Sequence, residues 1–96
     1  MAAGYIIAYV DVTDPQQYEQ YKVLSTRAMQ AHGAEVLVRG GKTEPLEGEW
    51  APTRVVLLKF PSYEAAKTFY ASEEYLAARE SRAHAAKMNM IVVEGA

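Results

Sequence analysis

The chain has 96 residues, half of them hydrophobic, with twelve acidic against ten basic side chains, a net charge of −2 and no cysteine. That length gives one domain, which buries somewhat over about 60% of its unfolded surface. The composition excludes a disordered chain, and the even mixing of charge excludes the basic clustering that draws nucleic acid or an anionic membrane. Without cysteine there are no disulfide frameworks, thiolate nucleophiles or thiolate metal sites.

In chain order, residues 4–12, GYIIAYVDV, are β-branched and aromatic and too short for a typical helix, which predicts a buried strand. The opening MAAGYIIAYVDV carries no basic region and its apolar run is broken by Tyr9 and Asp11, so it reads as a strand and not a signal peptide. No apolar run approaches the ~20 residues that a membrane span needs, and a cytoplasmic protein is the expectation. A helix is predicted over 15–32. Asp14 is its N-cap, Pro15 its first residue, Gln17 the partner in a capping box, and Gly33 its stop. Tyr21, Leu24, Ala28 and Ala31 fall on one side of it and are its predicted core stripe.

AEVLVRGG then reads as a second strand ended by Gly40 and Gly41, and TRVVLLKF as the third and most apolar strand. Ser62 caps a second helix whose apolar side is Ala65, Ala66, Phe69 and Tyr70, with Glu64 near the positive end of its dipole. SEEY at 72–75 predicts a break and a fresh cap at Ser72, followed by a second helical segment to about residue 86. MNMIVVEG closes the order as a fourth strand.

The order β-α-β-β-α-β is the ferredoxin-like pattern: an α+β fold with a four-stranded antiparallel sheet and its helices on one face. Both parities of the strands are apolar. Ile6, Ala8 and Val10 alternate with Tyr5, Ile7 and Tyr9, and Val56, Leu58 and Phe60 with Val55, Leu57 and Lys59. Helices can cover only one set. The uncovered set predicts a homodimer joined sheet to sheet.

GYIIAYVDVTDPQQYEQY, VRGG, LEGEW, RVVLLKFPSYEAAKTFYASEEY and VVEG together resemble the family called domain of unknown function 1330, over essentially the whole chain. The resemblance implies a ferredoxin-like fold in the dimeric α+β barrel superfamily, which also holds small cofactor-independent monooxygenases and dye- and muconolactone-handling enzymes. It implies no reaction for this family. The family's third strand often ends in a glutamate before its Phe-Pro pair, where this chain has Lys59, so no role is carried over to that position.

Candidate site residues come from the polar positions of the strands. On a regular pleat Arg39 shares a face with Leu37 and Glu35, opposite Val36 and Val38, and so faces the barrel cleft with Tyr5, Tyr9 and Lys59. There it meets either a ligand anion or a protein carboxylate. Four such groups could orient a small aromatic or carboxylated ligand, or pack and hydrogen-bond across the dimer. Gly40 and Gly41 end the strand, and a β-branched residue at Gly41 is expected to be strained. Trp50 caps an apolar edge or the dimer seam, in a connection that could line the pocket mouth.

His84 is the weak candidate for a general base, near Arg79 and Arg82, while a solvated helix-end histidine is the commoner case; His32 suits a helix C-terminus. Two histidines this far apart make no metal site, and the serines form no nucleophile elbow. Gly40-Gly41 is neither a dinucleotide fingerprint nor a phosphate loop, and no RNA-binding block lies on the third strand. No cofactor is expected. Two function classes remain: a dimeric protein that binds a small molecule in a cleft on the sheet face, or a cofactor-independent enzyme, monooxygenase- or isomerase-like, acting on such a compound.

Overall fold

Alternation along the first strand sets the layers. In β1 (Gly4–Val12), Ile6, Ala8 and Val10 are buried while Tyr5, Ile7 and Tyr9 are half-exposed. The computed structural model describes residues 2–49 and 54–96. After β1 come α1 (Pro15–Ala31), β2 (Glu35–Arg39), β3 (Arg54–Phe60), α2 (Tyr63–Ala71), α3 (Glu73–Ser81) and β4 (Ala86–Glu94). The sheet order is β2-β3-β1-β4, with every neighbour antiparallel. This is the predicted ferredoxin-like sandwich. Its core joins Ile6, Ala8, Val10, Leu58 and Phe60 of the sheet to Tyr18, Tyr21, Ala28, Phe69 and Tyr75 of the helices.

The helices begin where their caps predict. Asp14 accepts from Gln17 N at 3.2 Å, and Ser62 accepts from Ala65 N at 3.0 Å. The reciprocal half of the α1 capping box is replaced by longer-range bonds. Gln17 Nε2 donates to the Ser81 carbonyl at 3.1 Å, and Asp14 N donates to the Ala85 carbonyl at 2.9 Å. Ser72 is the predicted break: its Oγ donates to the Phe69 carbonyl at 2.7 Å and accepts from Tyr75 N at 3.2 Å, ending one helix and starting the next.

Two boundaries differ. The last helix stops at Ser81, five residues short of the expected end, because Ala85 N bonds back to the Arg82 carbonyl at 3.0 Å and turns the chain into β4. The buried side of α1 is rotated as well. Tyr18, Ser25 and Met29 join Tyr21 and Ala28 inside, whereas Ala31 is exposed. Seating Tyr18 and Met29 removes far more apolar area from water than seating the Ala31 methyl.

Strand β2 holds the most consequential departure. Val36 pairs with Leu58, yet Val38 pairs with Leu57 and Arg39 with Val56, so the ladder carries a β-bulge with Leu37 as the extra residue. An added residue reverses the parity of every position after it in the strand. Glu35 stays on the open face opposite Lys59, but Arg39 moves to the helix-covered side. The expectation that Arg39 faces the open sheet with Tyr5, Tyr9 and Lys59 is therefore corrected.

The strained glycine is likewise Gly40, at φ 73°, and not Gly41. Gly40 is also required sterically, since a Cβ there would overlap the Arg54 guanidinium. Across the sheet, a Cβ on Gly4 would collide with the Ser62 carbonyl, so that glycine lets the start of α2 rest on β1. The face away from the helices stays uncovered: Tyr5, Ile7, Val55 and Leu57 are half-exposed and Ile91 is 53% exposed.

Candidate functional site

The expected site residues separate into three places. Tyr5, Tyr9 and Lys59 share the open face, where Tyr5 pairs directly with Lys59 and Tyr9 with Val55 and Asn89. Arg39 lies on the other side, over α1, where its Nη2 donates to the Lys22 carbonyl at 3.3 Å and to Ser25 Oγ at 3.4 Å. His84 is exposed on the turn between α3 and β4 and lines none of the molecule's main concavities. His32 caps α1, and its Nε2 meets Glu74 Oε1 at 3.0 Å. Together with a backbone hydrogen bond, that contact holds the Glu74 carboxyl below its usual range. Trp50 lies outside the described residues.

A cleft of about 650 Å³ opens between α2 and β4, the last strand in the sheet order. Ala66 and Tyr70 of α2 form one wall, and Met88, Met90 and Val92 of β4 the other, with Ile6 of β1 at the base. The β4 alternation explains this wall: its methionines point toward the helices, while Asn89 and Ile91 point to the open face and border the cleft around the strand's edge. Lys67 stands at the rim.

One guanidinium enters this apolar space. Arg82 leaves the end of α3 and lies over the Tyr21 ring at 5.6 Å, with Nη2 4.0 Å from Met90 Sδ. Its Nε is buried and has no acceptor among the described residues. Behind it Tyr21 and Tyr75 share a buried hydrogen bond of 2.7 Å between their hydroxyls, and Tyr75 donates to Met90 Sδ at 3.6 Å. Burial raises the pKa of Tyr21 far above the ordinary phenol value, reinforced by the Tyr75 hydroxyl beside it. Burial raises Tyr75 too, against the opposing pull of the Tyr21 hydrogen bond and the Arg82 charge. Both phenols are thus neutral, and the ring of Tyr21 with the sulfur of Met90 holds the cation in place.

Sequence reasoning misses Arg82, which enters it only as a neighbour of His84, and misses the tyrosine pair, whose members stand 54 residues apart. Arg54 carries a legible signal: it falls on the parity of Val56, Leu58 and Phe60, a charge on the core side of the most apolar strand. Among the described residues, no cluster of three metal-ligating side chains occurs, and no helix is long and apolar enough to cross a membrane.

The model of the family described as domain of unknown function DUF1330 matches residues 3–96. No curated protein matches. Among solved structures, a protein of unknown function from Rhodopseudomonas palustris is similar at 18% identity and a TM-score of 0.74, covering 96% of this chain and 81% of that one. A dimeric ferredoxin-like protein of unknown function from Thermobifida fusca is similar at 16% identity and a TM-score of 0.62, with 99% and 91% covered. A Caulobacter crescentus protein provisionally described as an antibiotic biosynthesis monooxygenase is similar at 15% identity and a TM-score of 0.63, again with 99% and 91% covered. Likeness at these identities establishes the fold.

Proposed function

Because the chain belongs to the DUF1330 family, whose description names no reaction, we propose from its geometry a homodimer that binds a small apolar acid in the α2–β4 cleft of each protomer. The carboxylate sits on Arg82 and the aromatic or aliphatic body lies between Tyr70, Met88, Met90 and Val92. The observation that carries this reading is the Arg82 guanidinium: its Nε is buried without an acceptor among the described residues, in a cleft walled mainly by hydrocarbon, ring and thioether, with Lys67 and Asn89 at its border. A half-buried guanidinium with no carboxylate partner among the described residues is under-satisfied, and an anionic ligand supplies that partner. An aromatic or aliphatic body suits the walls, since small-molecule sites are mostly apolar with a few convergent polar groups.

The dimer rests on the uncovered apolar face. Ile7, Leu57, Ile91 and Val93 form a continuous ladder there, and a second copy is the partner that matches such a face. The Thermobifida relative is described as dimeric. Asn89 and Ile91 belong both to this face and to the border of the cleft, so a partner seated on the sheet would close part of the mouth. Tyr5, Tyr9 and Lys59 then belong to the seam and not to the ligand. Among the described residues, the cleft lining includes no carboxylate or imidazole to take a proton, which favours binding over turnover.

The test is calorimetric titration with benzoate and phenylacetate, using benzamide as the uncharged control. Binding of the acids, loss of about 10- to 100-fold in Arg82→Met, and little affinity for benzamide are expected. Equal affinity for acid and amide would refute the role of Arg82. Mass analysis of the ligand after long incubation reads turnover directly, and a changed mass would establish the enzymatic alternative.

A further inference from the structure

A second concavity lies on the opposite flank, between α1 and the β2–β3 end of the sheet, and its charge is of another kind. Its inner part is an enclosed void of about 20 Å³ in the core, walled largely by apolar side chains such as Leu58, Met88 and Met90, with Arg39 and Arg54 where it meets the surface. Outside this it widens into a groove of about 610 Å³ bordered by Glu19, Lys22, Val23 and Thr26 with the same two arginines. Arg39 pairs with Val56, and Arg54 stands two residues before Val56 on the same face, so the two arginines occupy diagonal positions. Diagonal positions are roughly 7–8 Å apart at the backbone, within reach of long side chains.

Two like charges side by side repel unless something between them is negative. Neither guanidinium has such a partner among the described residues. The ion pairs there are Lys22 with Glu19 at 2.9 Å and His32 with Glu74, so the carboxylate on the rim is already engaged. Among the described residues, Arg39 has two long neutral contacts to α1, and Arg54 Nε is buried with no acceptor while its guanidinium lies 5.7 Å from the Tyr18 ring. The backbone is shaped around this pair. The bulge at Leu37 turns Arg39 inward, and Gly40, in the left-handed conformation, leaves the space that the Arg54 guanidinium fills.

We infer that Arg39 and Arg54 together form an oxyanion site, distinct from the Arg82 cleft, that receives a phosphoryl group, either inorganic phosphate or the phosphate of a small ester. Two guanidinium forks from adjacent strands match a doubly charged group with three free oxygens better than a single carboxylate, which one fork already satisfies. The group sits in the outer groove, where Lys22 and Thr26 line the wall beside the two arginines.

The experiment is thermal denaturation and calorimetry of the whole chain in a phosphate-free buffer, titrated with inorganic phosphate and with glycerol phosphate against sodium chloride of equal ionic strength. Saturable stabilisation by phosphate beyond the chloride control is expected. Arg39→Met and Arg54→Met should each weaken it by about 10- to 100-fold, with Arg82→Met unchanged. Where a methionine variant fails to fold, Arg39→Lys and Arg54→Lys give the reading, because they keep the charge and lose the fork. No stabilisation beyond chloride, or phosphate affinity untouched in folded Arg39 and Arg54 variants, overturns the site. Malonate binding more tightly than either phosphate overturns the phosphoryl assignment. Benzoate binding to Arg39→Met as it does to the parent keeps this result separate from that of the Arg82 cleft.

Discussion

Leu57 and Leu58 are consecutive, chemically identical and on the same strand, yet they belong to different surfaces. Leu58 is 2% exposed beneath the helices, whereas Leu57 is only half-buried on the open face. Strand pleat alone makes the difference. The covered face holds the core of the fold, while the open face mixes Ile7, Leu57, Ile91 and Val93 with Glu35, Lys59 and Asn89. Hydrophobicity at a single position therefore does not tell a core residue from an open-face residue in this sheet; the location of the helices does.

The largest test of that contrast is a pair of substitutions at these two leucines. Leu58→Ala should lower unfolding free energy by about 2–5 kcal/mol in urea, because it opens a cavity in a packed layer. Leu57→Lys should leave the protomer folded, by circular dichroism, while converting a dimer to a 10.6 kDa monomer in sedimentation equilibrium. Similar urea midpoints for Leu58→Ala and the parent would erase the distinction between the faces.

The covered side also holds polar groups that the open side leaves in water, and pH exposes this. The folded Tyr21 and Tyr75 have pKa values raised above the ordinary 10.0, so the native state keeps protons that the unfolded chain releases. Their contribution is complete below about pH 10 and is lost as pH rises further, with a slope of up to about 1.4 kcal/mol per pH unit for each group. A double Tyr21→Phe, Tyr75→Phe variant should lose less stability than the parent between about pH 10 and 11. Tyr21→Phe alone, at neutral pH, should cost about 1–3 kcal/mol by depriving Tyr75 of its partner. An unchanged alkaline profile in the double variant would show that the pair titrates normally.

The smallest effect separates two neighbouring glycines where β2 leaves the sheet. Gly40→Val meets both a left-handed backbone and the Arg54 guanidinium, and should cost about 1–3 kcal/mol. Gly41→Val meets open space at an ordinary φ and should change stability by no more than about 0.5 kcal/mol. Equal denaturation midpoints would mean that the end of β2 relaxes freely and does not hold Arg54 in place.

Legibility in the sequence depends on how far each determinant reaches. Asp14, Ser62 and Ser72 act on backbone three residues away, so the caps and the break between α2 and α3 are legible. Strand parity is legible in β1 and β3, whose alternation runs unbroken. In β2 it is not: the bulge is defined by pairing with β3, and nothing in EVLVR marks Leu37 as extra. That single residue misplaces Arg39. Arg82 escapes for a related reason, since its role depends on Tyr21 from α1 and Met90 from β4 meeting at one point.

Ala85 takes two hydrogen bonds on its carbonyl, from Thr13 N at 2.8 Å and Asp14 N at 2.9 Å, just where β1 hands over to α1. Gln17 reaches the Ser81 carbonyl across 64 positions of sequence, and Gly95 N closes on the Ala3 carbonyl at 2.7 Å. The first helix is therefore seated by residues that lie late in the chain. Such distant closures raise contact order, and loops this long must be closed before their bonds return any energy. During synthesis, Tyr21 stays without its hydroxyl partner Tyr75, and Asp14 N without the Ala85 carbonyl, until α3 and the turn after it are made.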